Sequence, residues 1–450
     1  MERRKSGLDE TLLSLLARRE KQGRLRRLTV PAPGIIDFSS NGYLSLSSNS
    51  DVKRAYLELL QSSELSFSLG SGGSRLLDGN TEAAEELEQC IASFHRAPTG
   101  LLFNSGFEAN TGLFSCGPQP GDTIVYDELI HASVHDGMKL SRARKVPFAH
   151  NCVERNDVDE TAAKFKSLDT VLRHLTEGEQ GSDVRSGKKN VFVAVEGVYS
   201  MDGDVAALKD IVECVEKRLP LGNGYIIVDE AHSTGIFGEL GRGLVCQLGL
   251  EDRVWARVHT FGKAMGCSGA IILCSPTTRR YIFNYARSFI YTTAMGFPAL
   301  ASIRTAYRFL AEGHAEPLLC NLQSLIRNTH RLLIDVVTRQ RPHHSLLRIN
   351  FEPPESPVIP LFSMKARSLA TYCQGKGFML RPIVAPTVPH GTDRVRLCLH
   401  AGNTLAEVYG LCKVLEEWVC EQRGVANARP PVSAPTISAE ASSIVYKSRL

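Results

Sequence analysis

Residues 225–232 read YIIVDEAH, and residues 257–263 read RVHTFGK. Each stretch begins with a short, strand-like run and ends close to an ionisable residue, Asp229 in the first and Lys263 in the second. Alpha/beta sheets bind ligands outside the carboxyl ends of their strands. The two stretches therefore predict that Asp229 and Lys263 lie at a ligand site, although an Asp and a Lys taken alone could equally form a surface salt bridge.

Short strand-like runs alternate with helical segments between about residue 80 and residue 300. This alternation is typical of an α/β domain with a mostly parallel sheet. The predicted strands are 100–103, 123–126, 191–196, 225–229, 257–260 and 269–274.

The remaining chain predicts a smaller α+β domain and two terminal segments. A helix-rich stretch begins near residue 298, and strand-like runs follow near 345–364 and 394–399. The stretch from residue 424 is rich in Ala, Ser and Pro and lacks periodicity, which is typical of a flexible tail. The predicted divisions are an N-terminal helix and arm (1–60), a large domain (61–300), a small C-terminal domain (301–423) and a tail (424–450).

Composition narrows the class of protein. The 450 residues carry 52 Lys and Arg against 48 Asp and Glu, a net charge of +4 that is too weak to indicate nucleic-acid binding. No apolar run reaches the 18 residues of a transmembrane helix, so no membrane span is expected. The twelve cysteines have neither C-x-x-C nor zinc-finger spacing, and we expect reduced thiols and no metal site.

The string VDEAH (228–232) also looks like the acidic motif of a DEAH-type helicase. That activity requires a phosphate-binding loop of the form G-x-x-x-x-G-K-[ST]. Gly187-Lys188 lies one residue too far from Gly181 and is followed by Lys189 instead of Ser or Thr. Gly262-Lys263 lacks both the upstream glycine and the following hydroxyl residue. A nucleotide-driven motor is therefore disfavoured.

The pair Asp229 and Lys263 suits pyridoxal phosphate. The lysine forms a Schiff base with that cofactor, and the acid keeps the pyridine nitrogen protonated so that the ring accepts electrons. Ser105 and Gly106 follow a strand and open a helix, whose N-terminus suits a phosphate. His131 follows another strand, where it is either a buried helix-start residue or a ring stacked on a flat cofactor.

Nine strings in order along the chain resemble the α-oxoamine synthase family of fold-type-I pyridoxal phosphate enzymes. The resemblance covers about residues 10–423 and implies an α/β fold with a large doubly wound domain and a smaller α+β domain. The strings are FSSNGYL (38–44), GSGGSR (70–75), NSGFEAN (104–110), HAS (131–133), EGVYSMDGD (196–204), VDEAHSTGIFGELGRG (228–243), TFGKAMG (260–266), IYTTAM (290–295) and PTVPHGTDRVRL (386–397).

The resemblance implies a role for each matching residue at the cofactor. Lys263 would form the Schiff base, Asp229 would pair with the ring nitrogen, and His131 would stack on the ring. His232 would hydrogen-bond the cofactor's phenolic oxygen. The phosphate would be held by Gly106, Phe107, Ser200 and Thr260, with Thr292 and Thr293 supplied by the neighbouring subunit of a homodimer.

The resemblance also implies substrate contacts. Arg396 would bind the carboxylate of the amino acid through its guanidinium fork, and Asn41 would line the site from the N-terminal arm. The arginine that binds the far carboxylate of the acyl group would fall near residue 25, so Arg24 or Arg26 would serve. Where the family pattern continues L-T-L-T, this chain has LCLH (397–400), which we expect to change the acyl side of the pocket.

The activity implied is decarboxylative condensation of a small amino acid with an acyl-CoA, giving an aminoketone, CoA and CO2. L-Alanine and pimeloyl-CoA, as in biotin biosynthesis, fit the strings best. A glycine C-acetyltransferase-like or specialised-metabolite acyltransferase of the same family stays open. A non-catalytic partner subunit is the alternative of another class, and the presence of Lys263 argues against it.

The printed sequence ends in Ser448-Arg449-Leu450, a conservative variant of the Ser-Lys-Leu peroxisomal address. Coincidence is the competing explanation, since such a tripeptide arises by chance. We expect an import receptor as a partner and a peroxisomal location, or otherwise a cytoplasmic one.

Overall fold

The computed structural model describes residues 7–62, 68–179 and 181–427. Within these ranges the strands are β1 (Ile36–Asp37), β2 (Thr99–Phe103), β3 (Thr123–Asp127), β4 (Arg144–Phe148), β5 (Val191–Glu196), β6 (Gly224–Asp229), β7 (Ala256–Thr260), β8 (Ala270–Cys274), β9 (Val358–Phe362), β10 (Phe378–Met379), β11 (Arg381–Ile383) and β12 (Arg394–Cys398).

The α-helices of the same ranges cover both faces of the sheets. They are α1 (Gly7–Lys21), α2 (Ser50–Gln61), α3 (Glu82–Phe94), α4 (Gly106–Cys116), α5 (Ala132–Leu140), α6 (Asp157–Ala162), α7 (Leu168–Thr176), α8 (Ser182–Arg185), α9 (Leu208–Arg218), α10 (Leu244–Leu248), α11 (Pro276–Tyr285), α12 (Arg287–Ile290), α13 (Phe297–Ala311), α14 (Glu316–Gln340), α15 (Ala366–Gly375) and α16 (Leu405–Asn427).

The central sheet has seven strands in the order β2-β8-β7-β6-β5-β3-β4. Only β8 runs antiparallel to its neighbours β2 and β7, so the predicted mostly parallel α/β sheet is confirmed. Every residue of β5 is buried, because helices cover both faces of the sheet and exclude water from them.

The six predicted strands are all present, each within one residue of its expected bounds. Sequence reasoning missed β4, whose five residues read RKVPF. This strand lies at the edge of the sheet, where two exposed basic residues and a proline are tolerated and where they hide the apolar pattern of a buried strand.

A smaller α+β unit follows the central sheet, as predicted. Strands β11, β12 and β9 form an antiparallel sheet, and α14, α15 and α16 pack beside it. The short strand β1 pairs in parallel with β10, so the N-terminal arm is joined to the C-terminal part of the chain. The domain divisions at residues 60, 300 and 423 stay predictions.

Helix α16 continues through Asn427, past the residue at which the flexible tail is predicted to begin. A helix tolerates a single glycine such as Gly424, and the first proline does not occur until Pro430. The rest of the predicted tail, including Ser448-Arg449-Leu450, lies outside the described residues.

The parallel register of the central sheet positions the functional residues. Glu196, the last residue of β5, lies directly beside Asp229, the last residue of β6. Lys263 follows the end of the next strand, β7, after a turn of two residues. Across the described part of the chain, none of the helices is long and apolar enough to cross a bilayer.

Candidate active site

The carboxyl ends of β5, β6 and β7 open onto a cavity of about 370 Å³. It is lined by eight of the predicted site residues, namely Asn41, Gly106, Phe107, His131, Asp229, His232, Thr260 and Lys263, and by Ala231, to which the sequence gave no role. The other described lining residues are Asn104, Ser105, Asn110, Ser133, Glu196, Gly262, Cys267, Ser268 and Gly269.

Asp229 is a buried carboxylate whose two oxygens are each held by an amide. Oδ1 accepts a hydrogen bond from the backbone N–H of Ala231 at 2.9 Å, and Oδ2 accepts one from Asn110 Nδ2 at 2.7 Å. These bonds fix the direction of the carboxylate towards the cavity. A negative charge is thereby available at the base of the site.

Lys263 reaches the same cavity from the turn after β7, and its Nζ lies 3.5 Å from Thr260 Oγ1. Burial lowers the pKa of Lys263, while the nearby Asp229 and Glu196 act in the opposite direction and Arg396 reinforces the effect of burial. A lysine with a lowered pKa carries more of the neutral, nucleophilic amine at physiological pH. The predicted proximity of Asp229 and Lys263 is thus a property of the structure.

Glu196 is a site residue that sequence reasoning missed. It is buried beside Asp229, and its Oε1 accepts no hydrogen bond from any residue that the structure describes. Burial, together with the charge of Asp229, raises the pKa of Glu196 well above its usual range. This shift favours the protonated form of Glu196. Its position one residue before Gly197, at the end of a fully apolar strand, was the available signal.

His232 belongs to a chain of hydrogen bonds that reaches the N-terminal arm. Its Nδ1 is 2.7 Å from the hydroxyl of Tyr43, which also lies 3.3 Å from Asn41 Oδ1. Burial, with the positive charges of Lys263 and Arg396, holds the pKa of His232 well below its usual range. The ring is therefore neutral and can donate one hydrogen bond into the site.

His131 caps the first turn of α5, and the backbone N–H of Ser133 donates to its Nδ1 at 3.2 Å. The hydroxyl of Ser133 lies 2.8 Å from the same nitrogen and accepts a bond from Asn110 Nδ2 at 3.0 Å. Asn110 therefore links His131 to Asp229 through Ser133. Like Glu196, Asn110 and Ser133 are site residues to which the sequence reasoning gave no role, although both lie within the quoted strings.

The opposite end of the cavity is built for an anion. Helix α4 begins at Gly106, and its first-turn amides, including that of Phe107, have no acceptor within the helix. A Cβ at position 106 would overlap the methyl group of Thr260. Glycine therefore allows Thr260 to pack against the N-terminus of α4. The hydroxyl of Thr260 and the first-turn amides of α4 lie in the same corner of the cavity.

Two predicted residues, Arg396 and Ser200, lie next to the cavity but are not among its described lining residues. Arg396 donates through Nη2 to Asn41 Oδ1 at 2.9 Å and to the carbonyl of Ser39 at 3.4 Å. Its Nη1 donates to the carbonyl of Ser200 at 3.1 Å. The guanidinium therefore joins the arm, the segment after β5 and strand β12, and its acceptors are neutral oxygens rather than a carboxylate.

Thr292 and Thr293 also lie outside the described lining of the cavity. Asn104, which does line it, donates through Nδ2 to Thr292 Oγ1 at 3.2 Å and to the carbonyl of Thr293 at 2.8 Å. In a single chain these threonines therefore contact the rim of their own site. A contribution to the site of a neighbouring subunit stays a prediction.

Arg24 and Arg26 are exposed, and neither is among the described residues that line the cavity. The adjacent Gly23 accepts a hydrogen bond through its carbonyl from Arg367, which belongs to α15. Thr29, a little further along, accepts one from Arg381 of β11. The segment thus follows the C-terminal unit, and its binding of an acyl carboxylate stays a prediction.

The departures at Cys398 and His400 act on the arm. His400 Nε2 is 2.9 Å from Ser40 Oγ, and its Nδ1 is 3.1 Å from the carbonyl of Asp37. The backbone N–H of Cys398 donates to the carbonyl of Phe38 at 2.9 Å. Both residues therefore hold the segment that carries Asn41, so an effect on the acyl side of the pocket would be transmitted through the arm.

The residues present fit pyridoxal phosphate. The cavity combines a lysine amine, a buried carboxylate, two imidazoles, and a helix N-terminus with the hydroxyl of Thr260 beside it. Lysine, carboxylate and anion-binding corner are the three groups that this cofactor requires. The described residues contain no group of three His, Cys, Asp or Glu side chains placed to hold a metal ion.

Comparisons with known proteins agree with this arrangement. The aminotransferase class I and II family matches residues 33–415. An 8-amino-7-oxononanoate synthase of Emericella nidulans is 49% identical over 415 residues, which are 92% of this chain and 96% of that protein. The aminoacyl transferase sphA of Aspergillus fumigatus is 37% identical over 90% of this chain and 86% of its own. The serine palmitoyltransferase structure from Sphingomonas wittichii superposes with a TM-score of 0.77 at 26% identity, over 93% of this chain and 100% of that one.

The fold and the lysine-carboxylate cavity are those of a fold-type-I pyridoxal phosphate-dependent transferase, and the chain belongs to the aminotransferase class I and II family. Within that class it is an α-oxoamine synthase, as the nine strings indicated.

We predict that the cofactor-free protein has an unusually reactive Lys263. At pH 7.5, limiting formaldehyde with cyanoborohydride should methylate Lys263 before the exposed Lys139, because its lowered pKa leaves more free amine. Peptide mass spectrometry measures the two rates. Asp229→Asn should raise the Lys263 rate several-fold, on the scale of tenfold per pKa unit, because it removes the anion that favours the ammonium form.

Glu196→Gln is the matched control, since it replaces a carboxyl that already holds its proton by a neutral amide of the same shape. The rate at Lys263 should then stay close to that of the wild type. If Glu196→Gln accelerated the labelling as much as Asp229→Asn, the neutral state of Glu196 would be wrong.

Proposed function

We propose that this chain condenses L-alanine with pimeloyl-CoA and releases 8-amino-7-oxononanoate, CoA and CO2, a step of biotin biosynthesis. The observation that carries the proposal is the shared cavity of Lys263 and Asp229 in a chain 49% identical to an 8-amino-7-oxononanoate synthase. Pyridoxal phosphate, when bound, supplies an electron sink that stabilises negative charge at the Cα atom of the amino acid.

The residues of the chain supply the remaining functions. The Asp229 carboxylate would provide the countercharge for the ring nitrogen, and the neutral imidazole of His232 would offer a hydrogen-bond donor to the phenolic oxygen of the cofactor. His131, which lines the cavity, would stack on the ring. The amides of Gly106 and Phe107 and the hydroxyl of Thr260 hold the phosphate. These groups keep the reacting carbon of the substrate within reach of Lys263.

Lys263 moves the proton. With the cofactor and substrate bound, its Nζ would act as the base that removes the proton from Cα of L-alanine. Cα then attacks the thioester carbonyl of the acyl-CoA, the carbon–sulfur bond breaks, and the thiolate of CoA leaves. The resulting β-keto acid loses its carboxylate as CO2, and a proton returned to Cα completes the aminoketone. Arg396 binds the carboxylate until that step.

A second candidate is an α-oxoamine synthase of specialised metabolism that uses another acyl-CoA or amino acid. It is supported by the 37% identity to the aminoacyl transferase sphA and by the replacement of two family residues at Cys398 and His400. A non-catalytic partner subunit is disfavoured because Lys263 is present in the cavity.

We predict that borohydride links pyridoxal phosphate to Lys263 in the purified protein and that Lys263→Ala abolishes turnover. The trapped peptide is identified by mass spectrometry, and CoA release is followed with a free-thiol reagent. L-Alanine with pimeloyl-CoA should give the highest rate in a panel of small amino acids and acyl-CoAs. A higher rate with another pair would replace this function by the second candidate, whereas a different trapped lysine would contradict the site.

We also propose a homodimer in which Thr292 or Thr293 contributes to the site of the neighbouring subunit. If this is correct, mixing Lys263→Ala with a double variant at Thr292 and Thr293 should restore part of the activity, because hybrid dimers then contain one intact site. Subunit exchange must be demonstrated in parallel with labelled chains. Exchange without recovery of activity would contradict the shared site.

Peroxisomal placement is a further proposal that rests on the Ser448-Arg449-Leu450 string of the printed sequence. Removal of these three residues should leave activity in extracts unchanged but shift the protein from peroxisomes to the cytosol. The comparison requires a protein without a C-terminal tag. A full-length protein that is already cytosolic would contradict the proposal.

A further inference from the structure

His150 is a charged residue that lies outside the cavity and is held on both sides by carboxylates. It follows β4, and its Nδ1 donates to Asp127 Oδ1 at 2.9 Å while its Nε2 donates to Asp204 Oδ2 at 2.9 Å. The edge of the ring meets the face of Tyr199, with 4.5 Å between centroids. A ring with a carboxylate at each nitrogen must donate from both, so it carries the positive charge of an imidazolium.

The charge persists over the physiological range. Burial alone would lower the pKa of His150, but its hydrogen bonds to Asp127 and Asp204 outweigh burial and raise the pKa to about 10. The charged form therefore predominates below that pH. The stabilisation that it gives to the folded chain is complete below the usual pKa of 6.5 and is lost progressively as the pH rises from there through about 10. Glu128, which accepts the backbone N–H of His150 at 3.2 Å, adds a further negative group.

One carboxylate partner controls the approach to His131. Asp127 is the last residue of β3, and its Oδ1 also accepts the backbone N–H of Leu129 at 2.9 Å. Its Oδ2 accepts the hydroxyl of Tyr199 at 2.9 Å. These bonds determine the course of residues 127–131, at the end of which His131 enters the cavity.

The other carboxylate partner controls the turn that supports Arg396. Asp204 closes residues 199–204, and its carbonyl accepts the backbone N–H of Tyr199 at 3.0 Å. Within this turn the carbonyl of Ser200 accepts from Arg396 Nη1. The turn also packs closely against β9. Gly203 has a φ of +76°, and a Cβ at this position would overlap the carbonyl of Val358.

A second ion pair attaches the same turn to the same strand. Asp202 pairs with Arg394, which is buried and lies two residues before Arg396 on β12. The turn is thus held by Arg394 and Arg396 on the side of the small sheet and by His150 on the side of the central sheet. Tyr199 and Asn151 also bond to Asp127, but His150 bridges the carboxyl groups of Asp127 and Asp204 with a donor to each.

We propose that His150 is a positioning residue that sets Arg396 relative to His131, and thereby the affinity of the site for the carboxylate of the amino acid. The inference rests on the proposed function, in which Arg396 binds that carboxylate. Without the imidazolium, Asp127 and Asp204 repel each other, and the Asp204 end of the turn 199–204 shifts relative to residues 127–131, although Tyr199 still bonds to Asp127. The guanidinium of Arg396 then loses part of the support of Ser200. Cofactor binding is affected little, because Lys263, Asp229 and the N-terminus of α4 are held by other bonds.

The experiment compares His150→Gln with the wild-type holoenzyme. Glutamine is neutral and of similar reach, so it keeps one hydrogen bond but removes the charge. The apparent Kd for L-alanine, read from the absorbance of the bound pyridoxal phosphate, should rise about tenfold, or 1.4 kcal/mol. The KM for pimeloyl-CoA and kcat should stay within about twofold, since a factor of two is a small part of one charge-assisted bond.

A matched control is available in His330. It lines the same groove as His150, but its Nε2 contacts a backbone carbonyl, that of Asn350, at 3.0 Å rather than a carboxylate. His330→Gln should leave the Kd for L-alanine unchanged. Asp204→Asn tests the other end of the link in a half-exposed residue and should also weaken L-alanine binding. In the double variant His150→Gln with Asp204→Asn, the two losses of affinity for L-alanine should not add, because both substitutions break the same His150–Asp204 bond.

The outcomes separate the inference from the proposed function. If the wild-type absorbance does not respond to L-alanine but responds to another amino acid, the proposed substrate is wrong, and the same variants are then compared with that amino acid. If the wild type responds and both His150→Gln and Asp204→Asn keep its Kd, the positioning role is wrong. A parallel fall in kcat, in cofactor content and in affinity for both substrates would likewise overturn it, since that pattern indicates a general structural defect.

Discussion

The arrangement of the whole site depends on the burial of one carboxylate and one amine in a common cavity. Asp229 and Lys263 follow adjacent parallel strands, so their side chains emerge at the same edge of the sheet. Removal of a charge from water is costly unless an opposite charge or several hydrogen bonds compensate. Here the amides of Ala231 and Asn110 support the carboxylate, and the carboxylate in turn favours the ammonium form of the lysine against the effect of burial.

The same constraint explains the state of Glu196. Two neighbouring carboxyl groups cannot both be charged in a buried place, and the one with better hydrogen bonds keeps the charge. Asp229 has two amide donors, whereas Glu196 leaves Oε1 without a described partner. Burial and the charge of Asp229 therefore raise the pKa of Glu196 and favour its protonated form. The site offers one negative group at its base, which is what a cationic ring nitrogen needs.

The second half of the site is supplied by distant parts of the chain. The arm brings Asn41 to Arg396 and Tyr43 to His232, and it is held by the pairing of β1 with β10 and by His400. The turn after β5 supports Arg396 through Ser200. The site lies between the central sheet and the smaller unit, so its geometry depends on the contacts between these two parts. Charged contacts such as those of His150 with Asp127 and Asp204 are therefore important for function.

The sequence by itself determined the six apolar strands and the α/β class. It also placed Asp229, His131 and Lys263 at or after the ends of strands. These features follow from local patterns, because hydrophobic periodicity and the residues that end a strand depend on near neighbours. The resemblance in nine strings added the cofactor and most of the residues found around the cavity.

Only the tertiary structure decided the state and the neighbours of each group. It added the edge strand β4, extended α16 to Asn427, placed Arg24 and Arg26 away from the described cavity, and connected Cys398 and His400 to the arm. It also placed Glu196 beside Asp229, where burial raises the pKa of Glu196, and His150 between two carboxylates, which raise the pKa of the imidazole. The reason is physical: protonation depends on burial and on partners that are tens or hundreds of residues away in the sequence, and a linear pattern carries neither.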